Sequence, residues 1–199
     1  NAFEYSKLGY AAALSWLLHG RHAANLALLG QMLENADINR DGVGLAAPAV
    51  YLAQLASVLQ GSAMAVAAQD VSRFATDGAF TGENSAQMLA DDGCRYVLIG
   101  HSERRQYFGE QNDALSAKLQ AVAAAGMVPV LCVGETLAER EAGQELAVIS
   151  QQLEALAAIK GQEYVVAYEP VWAIGTGKVA TIEQIDAVHQ QIRALVLQC

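Results

Sequence analysis

Five short apolar runs alternate with helical patterns along this chain, and that alternation restricts its fold more than any other feature. The runs are Val43–Val50, Ala63–Ala68, Arg95–Gly100, Val128–Val133 and Tyr164–Tyr168. Each has the length of a buried strand, and each gap holds enough residues for a crossover helix. Helices are expected over Tyr51–Leu59, over Ser85–Leu89, from a cap at Asn112 or Asp113 to Gly126, and as one long helix from about Leu137 to Ile159. Thr181-Ile-Glu-Gln184 is a capping box, and Ile185, Val188, Ile192 and Leu195 supply the buried face of the last helix. Ahead of the alternation, Leu26, Leu29 and Leu33 mark an amphipathic helix within Arg21–Glu34, and Ala11–Leu18 favours a helix over a strand. The pattern is βαβ repetition with parallel strands. It leaves two architectures open, a parallel barrel and a doubly wound open sheet.

Partner classes follow from charge and cysteine usage. A formal charge of −9, with no Lys/Arg cluster to offset it, argues against nucleic acid and against an anionic membrane. A small phosphorylated substrate needs only local donors and stays possible. The apolar stretch Tyr10–Leu18 is too short to span a bilayer. Cys94, Cys132 and Cys199 lack disulfide or metal spacing, which points to a reducing cytoplasm and to no metal or other cofactor. With 53% hydrophobic residues the chain can bury a sizeable core, and part of that apolar share can also serve a surface covered by a partner.

Polar residues cluster just after the strands: Gln69, His101, Glu103, Glu135 and Glu169. In a parallel barrel the carboxyl ends of the strands share one face, so these side chains would converge. The stretch Tyr164-Val-Val-Ala-Tyr-Glu169-Pro-Val-Trp-Ala-Ile-Gly-Thr-Gly-Lys178 carries the most chemistry. Its strand ends at a carboxylate, and Pro170 stops the ladder because it has no N–H to donate. Trp172 followed by two glycines, Gly175 and Gly177, then reads as a hinged lid, which makes Glu169 a candidate general base. The plainer reading is a strand followed by an ordinary loop, with His101 a structural histidine.

Four segments in this order resemble triosephosphate isomerases: Ala79-Phe-Thr-Gly-Glu83, Tyr96-Val-Leu-Ile-Gly-His-Ser-Glu-Arg-Arg105, Pro129-Val-Leu-Cys-Val-Gly-Glu135 and Ala167-Tyr-Glu-Pro-Val-Trp-Ala-Ile-Gly-Thr-Gly-Lys178. The resemblance implies an α/β fold of the TIM-barrel type, with parallel strands alternating with helices. It implies that Glu169 moves a proton between adjacent carbons of a triose phosphate while a neutral His101 polarises the carbonyl; these roles come from the family, not from spacing. It further implies that Pro170, Val171, Trp172, Ala173, Ile174, Gly175, Thr176, Gly177 and Lys178 form the lid. Gly175 would offer its N–H to the phosphate, Glu103 would support the cluster, and Cys132 would be a buried neighbour. Phe80, Thr81 and Gly82 resemble the loop tip that family members insert into a second subunit, so a homodimer or higher homo-oligomer is expected, with a triose phosphate or phosphoglycolate-like ligand.

Two departures from the family set further expectations. The family's first strand ends in an Asn-x-Lys site, whereas Ser15 and Leu17 occupy those positions here. Residues 1–20 are therefore expected to form an atypical helix or arm, and residues 21–199 a partial barrel running from strand 2 to helix 6. The seventh and eighth βα units, which carry the family's phosphate cradle, are not expected. An incomplete barrel with weak or lost activity follows, with two alternatives: a non-catalytic, self-associating barrel fragment, or another barrel enzyme acting on a small phosphorylated substrate. Gly175-Thr-Gly-Lys-Val-Ala180 matches a loose dinucleotide pattern but does not follow directly on a strand. Nor is Gly177-Lys178 a P-loop, since Val179 replaces the required hydroxyl residue. Glu135, Glu139, Glu141 and Glu145 read as a solvated helix start.

Overall fold

The computed structural model describes residues 29–174 and 177–197. Five parallel strands form one sheet in chain order: β1 (Gly44–Ala47), β2 (Ala65–Ala68), β3 (Cys94–Ile99), β4 (Val128–Val133) and β5 (Val165–Tyr168). Helices fill the connections: α1 (Leu52–Val58), α2 (Ala86–Asp91), α3 (Ser102–Phe108), α4 (Asn112–Ala124), α5 (Leu137–Glu141) and α6 (Glu145–Leu153), and α7 (Ile182–Val196) follows β5. Residues 29–34 are also helical. The described residues thus make an incomplete (β/α) barrel, with β1 and β5 at its two edges.

Alternation along each strand gives the sheet two apolar faces, as a parallel sheet covered on both sides requires. Leu45, Val66, Val97, Ile99, Leu131 and Val166 point to the helical layer and join Leu52, Leu89, Leu115, Leu119, Ile149 and Ile159 in the main core. Each fully buried side chain of this kind contributes about 1.5–3 kcal/mol, so this layer holds the scaffold together. The other face carries a smaller cluster of Ala46, Ala67, Leu98, Val130, Cys132 and Ala167. Its small side chains lie on the side where a barrel would be filled.

Several boundaries differ from the sequence expectation for local reasons. The first strand stops at Ala47 because Pro48 cannot continue the ladder, and a 3-10 turn covers Ala49–Tyr51. The helix expected to be capped by Asn112 or Asp113 has Gln111 at its N-cap, with no side-chain cap bond. The single helix from Leu137 to Ile159 is three pieces: Gly143 (φ +67°) breaks it after α5, and the chain past Leu153 tightens into a 3-10 helix, Glu154–Ile159. Helix α3, directly after His101, was not expected. The expected helix over Ala11–Leu18, the arm at residues 1–20 and position Leu17 lie outside the described residues, as does most of the helix expected within Arg21–Glu34.

Candidate active site

His101 and Glu169 meet because the register of the sheet puts the ends of β3, β4 and β5 side by side. Ile99 pairs with Leu131, and Val133 with Tyr168. Beyond the last pair, the Glu169 N–H donates to the Val133 carbonyl at 2.8 Å. His101 is the N-cap of α3, and its Nδ1 accepts the Glu103 N–H at 3.4 Å. That bond requires Nδ1 to be unprotonated, so the ring proton sits on Nε2, which lies 2.9 Å from Glu169 Oε1. The hydrogen bond to Glu169 raises the imidazole pKa above its ordinary value, against the lowering effect of burial, and Glu103 adds a smaller raising contribution at 3.7 Å. Glu169 is 12% exposed, and its Oε2 has no hydrogen-bond partner among the described residues. A buried carboxylate oxygen left free in this way is placed to accept a proton.

The segment after Glu169 is anchored at its first turn. After Pro170 the chain makes a 3-10 turn, Val171–Ala173, that buries Trp172. Trp172 Nε1 donates to Glu135 Oε1 at 2.8 Å, the Tyr168 hydroxyl donates to the same oxygen at 3.1 Å, and Arg140 reaches it at 2.8 Å. Arg140 also covers the Trp172 ring, 4.8 Å from its centroid. Burial beside this carboxylate pushes the Tyr168 phenol well above its usual range. Glu135 is fully buried, which corrects its assignment to a solvated helix start. Glu139 does sit in that role, closing a capping box with Thr136.

A second polar assembly supports α3. Lys118, 5% exposed, bonds Asp70 Oδ1 and Glu110 Oε1 at 2.6 Å each. Arg104 pairs with Asp70 at 3.0 Å and with Glu110 at 2.8 Å. Burial raises the Asp70 pKa; at Glu110 burial acts in the same direction, but Lys118 and Arg104 outweigh it and hold the carboxyl below the ordinary range. This group borders a cavity of about 430 Å³ walled by Gln69, Asp70, Glu83, His101, Glu103 and Arg104, among others. Glu169 lies outside that wall. Among the described lining residues the one guanidinium, Arg104, is already committed to two carboxylates.

The remaining expected positions are scattered around this centre. Glu103 is mostly exposed, on the solvent side of His101. Cys132 is buried next to Glu169, its thiol pKa raised far above normal by burial. Phe80 stacks on Phe74, with ring centroids 3.6 Å apart, and Thr81 and Gly82 beside it are exposed. Gln69 ties β2 to β1 by donating to the Ala46 carbonyl at 3.3 Å. Gly175 and Thr176 lie outside the described residues; Gly177 turns at φ +75°. Sequence reasoning missed Arg105, whose guanidinium donates to the Gly100 and Cys132 carbonyls, and missed Asp70, Glu110, Lys118 and Gln152. The pairing of Arg104 with an acid six positions on was the one available signal for the charge group. Among the described residues no group of His, Cys, Asp and Glu could hold a metal ion, and no helix is long and apolar enough to cross a membrane.

The family model for triosephosphate isomerase matches residues 11–199. A triosephosphate isomerase of Paracidovorax citrulli is 54% identical over 186 residues, covering 90% of this chain and 74% of the relative. One from Delftia acidovorans is 54% identical over 184 residues, with the same coverage of both chains. Another, from Neisseria meningitidis, is 50% identical over 186 residues, covering 92% of this chain and 74% of the relative.

Proposed function

The chain belongs to the triosephosphate isomerase family, and from that premise we propose that Glu169 and His101 interconvert dihydroxyacetone phosphate and glyceraldehyde 3-phosphate. The Glu169 carboxylate takes the proton from the carbon beside the carbonyl, and the electron pair moves onto the carbonyl oxygen to give an enediolate. His101 Nε2–H, which now faces Glu169, turns its hydrogen bond to that oxygen, where preorganised donors are worth most. His101 passes its Nε2 proton to that oxygen and takes back the proton of the neighbouring hydroxyl, and return of the first proton from Glu169 to the neighbouring carbon completes the isomerisation. Closure of Pro170–Lys178 excludes water, with the Trp172–Glu135 bond as its fixed end. The observation that carries this reading is the 2.9 Å approach of Glu169 Oε1 to His101 Nε2, two residues sixty-eight positions apart in a chain of this family.

The activity of the 199-residue chain by itself is proposed to be weak. Leu17 stands where the family places its charge-neutralising lysine, and Arg104 is held by Asp70 and Glu110. Losing that charge stabilisation lowers turnover by on the order of 10²–10³-fold. We further propose a cytoplasmic homodimer in which Phe80, Thr81 and Gly82 reach the second copy. A coupled assay with glyceraldehyde 3-phosphate tests the reading: residual turnover that Glu169→Ala removes is expected. Turnover at an ordinary isomerase rate, or residual turnover that survives the substitution, would contradict it.

A further inference from the structure

Building on the isomerase reading of the Glu169–His101 pair, we propose that Gln152 is a positioning residue for the base, acting through the backbone of Gly134. Gln152 lies on α6, in the outer layer, and never reaches the site itself. Its Oε1 accepts the Gly134 N–H at 2.8 Å and its Nε2 donates to the Gly134 carbonyl at 3.0 Å. One side-chain amide therefore satisfies both polar groups of a residue just past the end of β4, as a neighbouring strand would.

Gly134 in turn abuts the main chain of Glu169. A Cβ at position 134 would overlap the Glu169 carbonyl oxygen and stand 2.9 Å from its carbonyl carbon. Only glycine permits that approach, and the contact is backbone on backbone. Glu169 is thus fixed on its N–H side by Val133 and on its carbonyl side by Gly134, while the next residue, Pro170, contributes no donor. The space bounded by Gly100, Ser102, Arg105, Gly134, Val171 and Glu169 is only about 10 Å³, no more than one water, so a backbone shift has no slack to absorb it. Releasing the amide clamp lets Gly134 relax and moves the Glu169 carboxylate relative to His101.

The contact between the two side chains supplies a readout independent of turnover. In the 199-residue chain, NMR titration of the labelled His101 ring is compared among wild type, Gln152→Leu and Glu169→Gln. The expected result is a raised imidazole pKa in wild type that falls toward the Glu169→Gln value in Gln152→Leu, while Glu103 keeps its smaller influence in all three. A folded Gln152→Leu protein whose His101 titrates as in wild type overturns the inference alone. An ordinary His101 pKa in the wild type likewise overturns the inference, whereas turnover that survives Glu169→Ala sinks the reading of the site. Should Gln152→Leu not fold, Gln152→Glu is read in the same way: it keeps an acceptor for the Gly134 N–H but sets a carboxylate against the Gly134 carbonyl. A smaller fall in the same direction supports the clamp, and no change refutes it.

Discussion

His101 is held between opposed influences. Its Nδ1 accepts a helix N–H, which fits only the neutral ring, and its Nε2 faces a carboxylate, which favours the cation. The second influence prevails, so the folded-state pKa is raised. By linkage the contact then stabilises the fold fully below the unfolded value of 6.5, and that contribution fades as pH rises through the folded value. The stability difference between wild type and Glu169→Gln, followed by urea unfolding across a pH series, is accordingly expected to be largest just below 6.5 and to shrink above it. A difference that grows with pH would have the wrong sign. Both residues of this pair were legible in the sequence because each follows an apolar run directly. Gln152 was not, since nothing in a helical glutamine signals that its amide will cap the end of a strand eighteen positions earlier.

The elements around the site are joined by buried charge rather than by apolar packing alone. Lys118 on α4, Arg104 on α3, Asp70 after β2 and Glu110 between α3 and α4 form one group, and α3 carries His101 at its N-cap. Removing the central cation leaves the partly exposed Arg104 to balance two carboxylates by itself, one of them the nearly buried Glu110. Lys118→Met is expected to cost about 3–5 kcal/mol of stability, measured by urea unfolding; a loss below about 1 kcal/mol would mean that the group is not a support. Helix patterning could not reveal this group, because a buried lysine looks like any exposed one until its partners, up to 48 residues away, are folded against it. The same limit explains Glu135. An acid-rich turn resembles a solvated helix start, and the donors to Glu135, Tyr168 and Trp172, lie on another strand end and on the turn after Pro170. The broken helix after Leu137 was more nearly legible, since Gly143 marks the break.

Taken as a molecule, the chain carries four segments like those of its family on a sheet whose edges, β1 and β5, are unpaired among the described residues. The βα alternation was enough to establish parallel strands; it could not choose between barrel and open sheet, because closure depends on tilt and stagger that no periodicity records. Exposed Phe80, Tyr107 and Phe108 lie on the loop after β2 and at the end of α3. Such surface favours association. Light scattering at micromolar concentration is expected to give a dimer or larger, and a stable dilute monomer would contradict that expectation. The pairing of Glu169 with His101 is tested most directly by following solvent deuterium into dihydroxyacetone phosphate by NMR, with wild type and Glu169→Gln in parallel. Slow incorporation at the carbon beside the carbonyl, abolished by the substitution, is the predicted result; equal incorporation with both proteins, at the rate of the substrate alone, would contradict it.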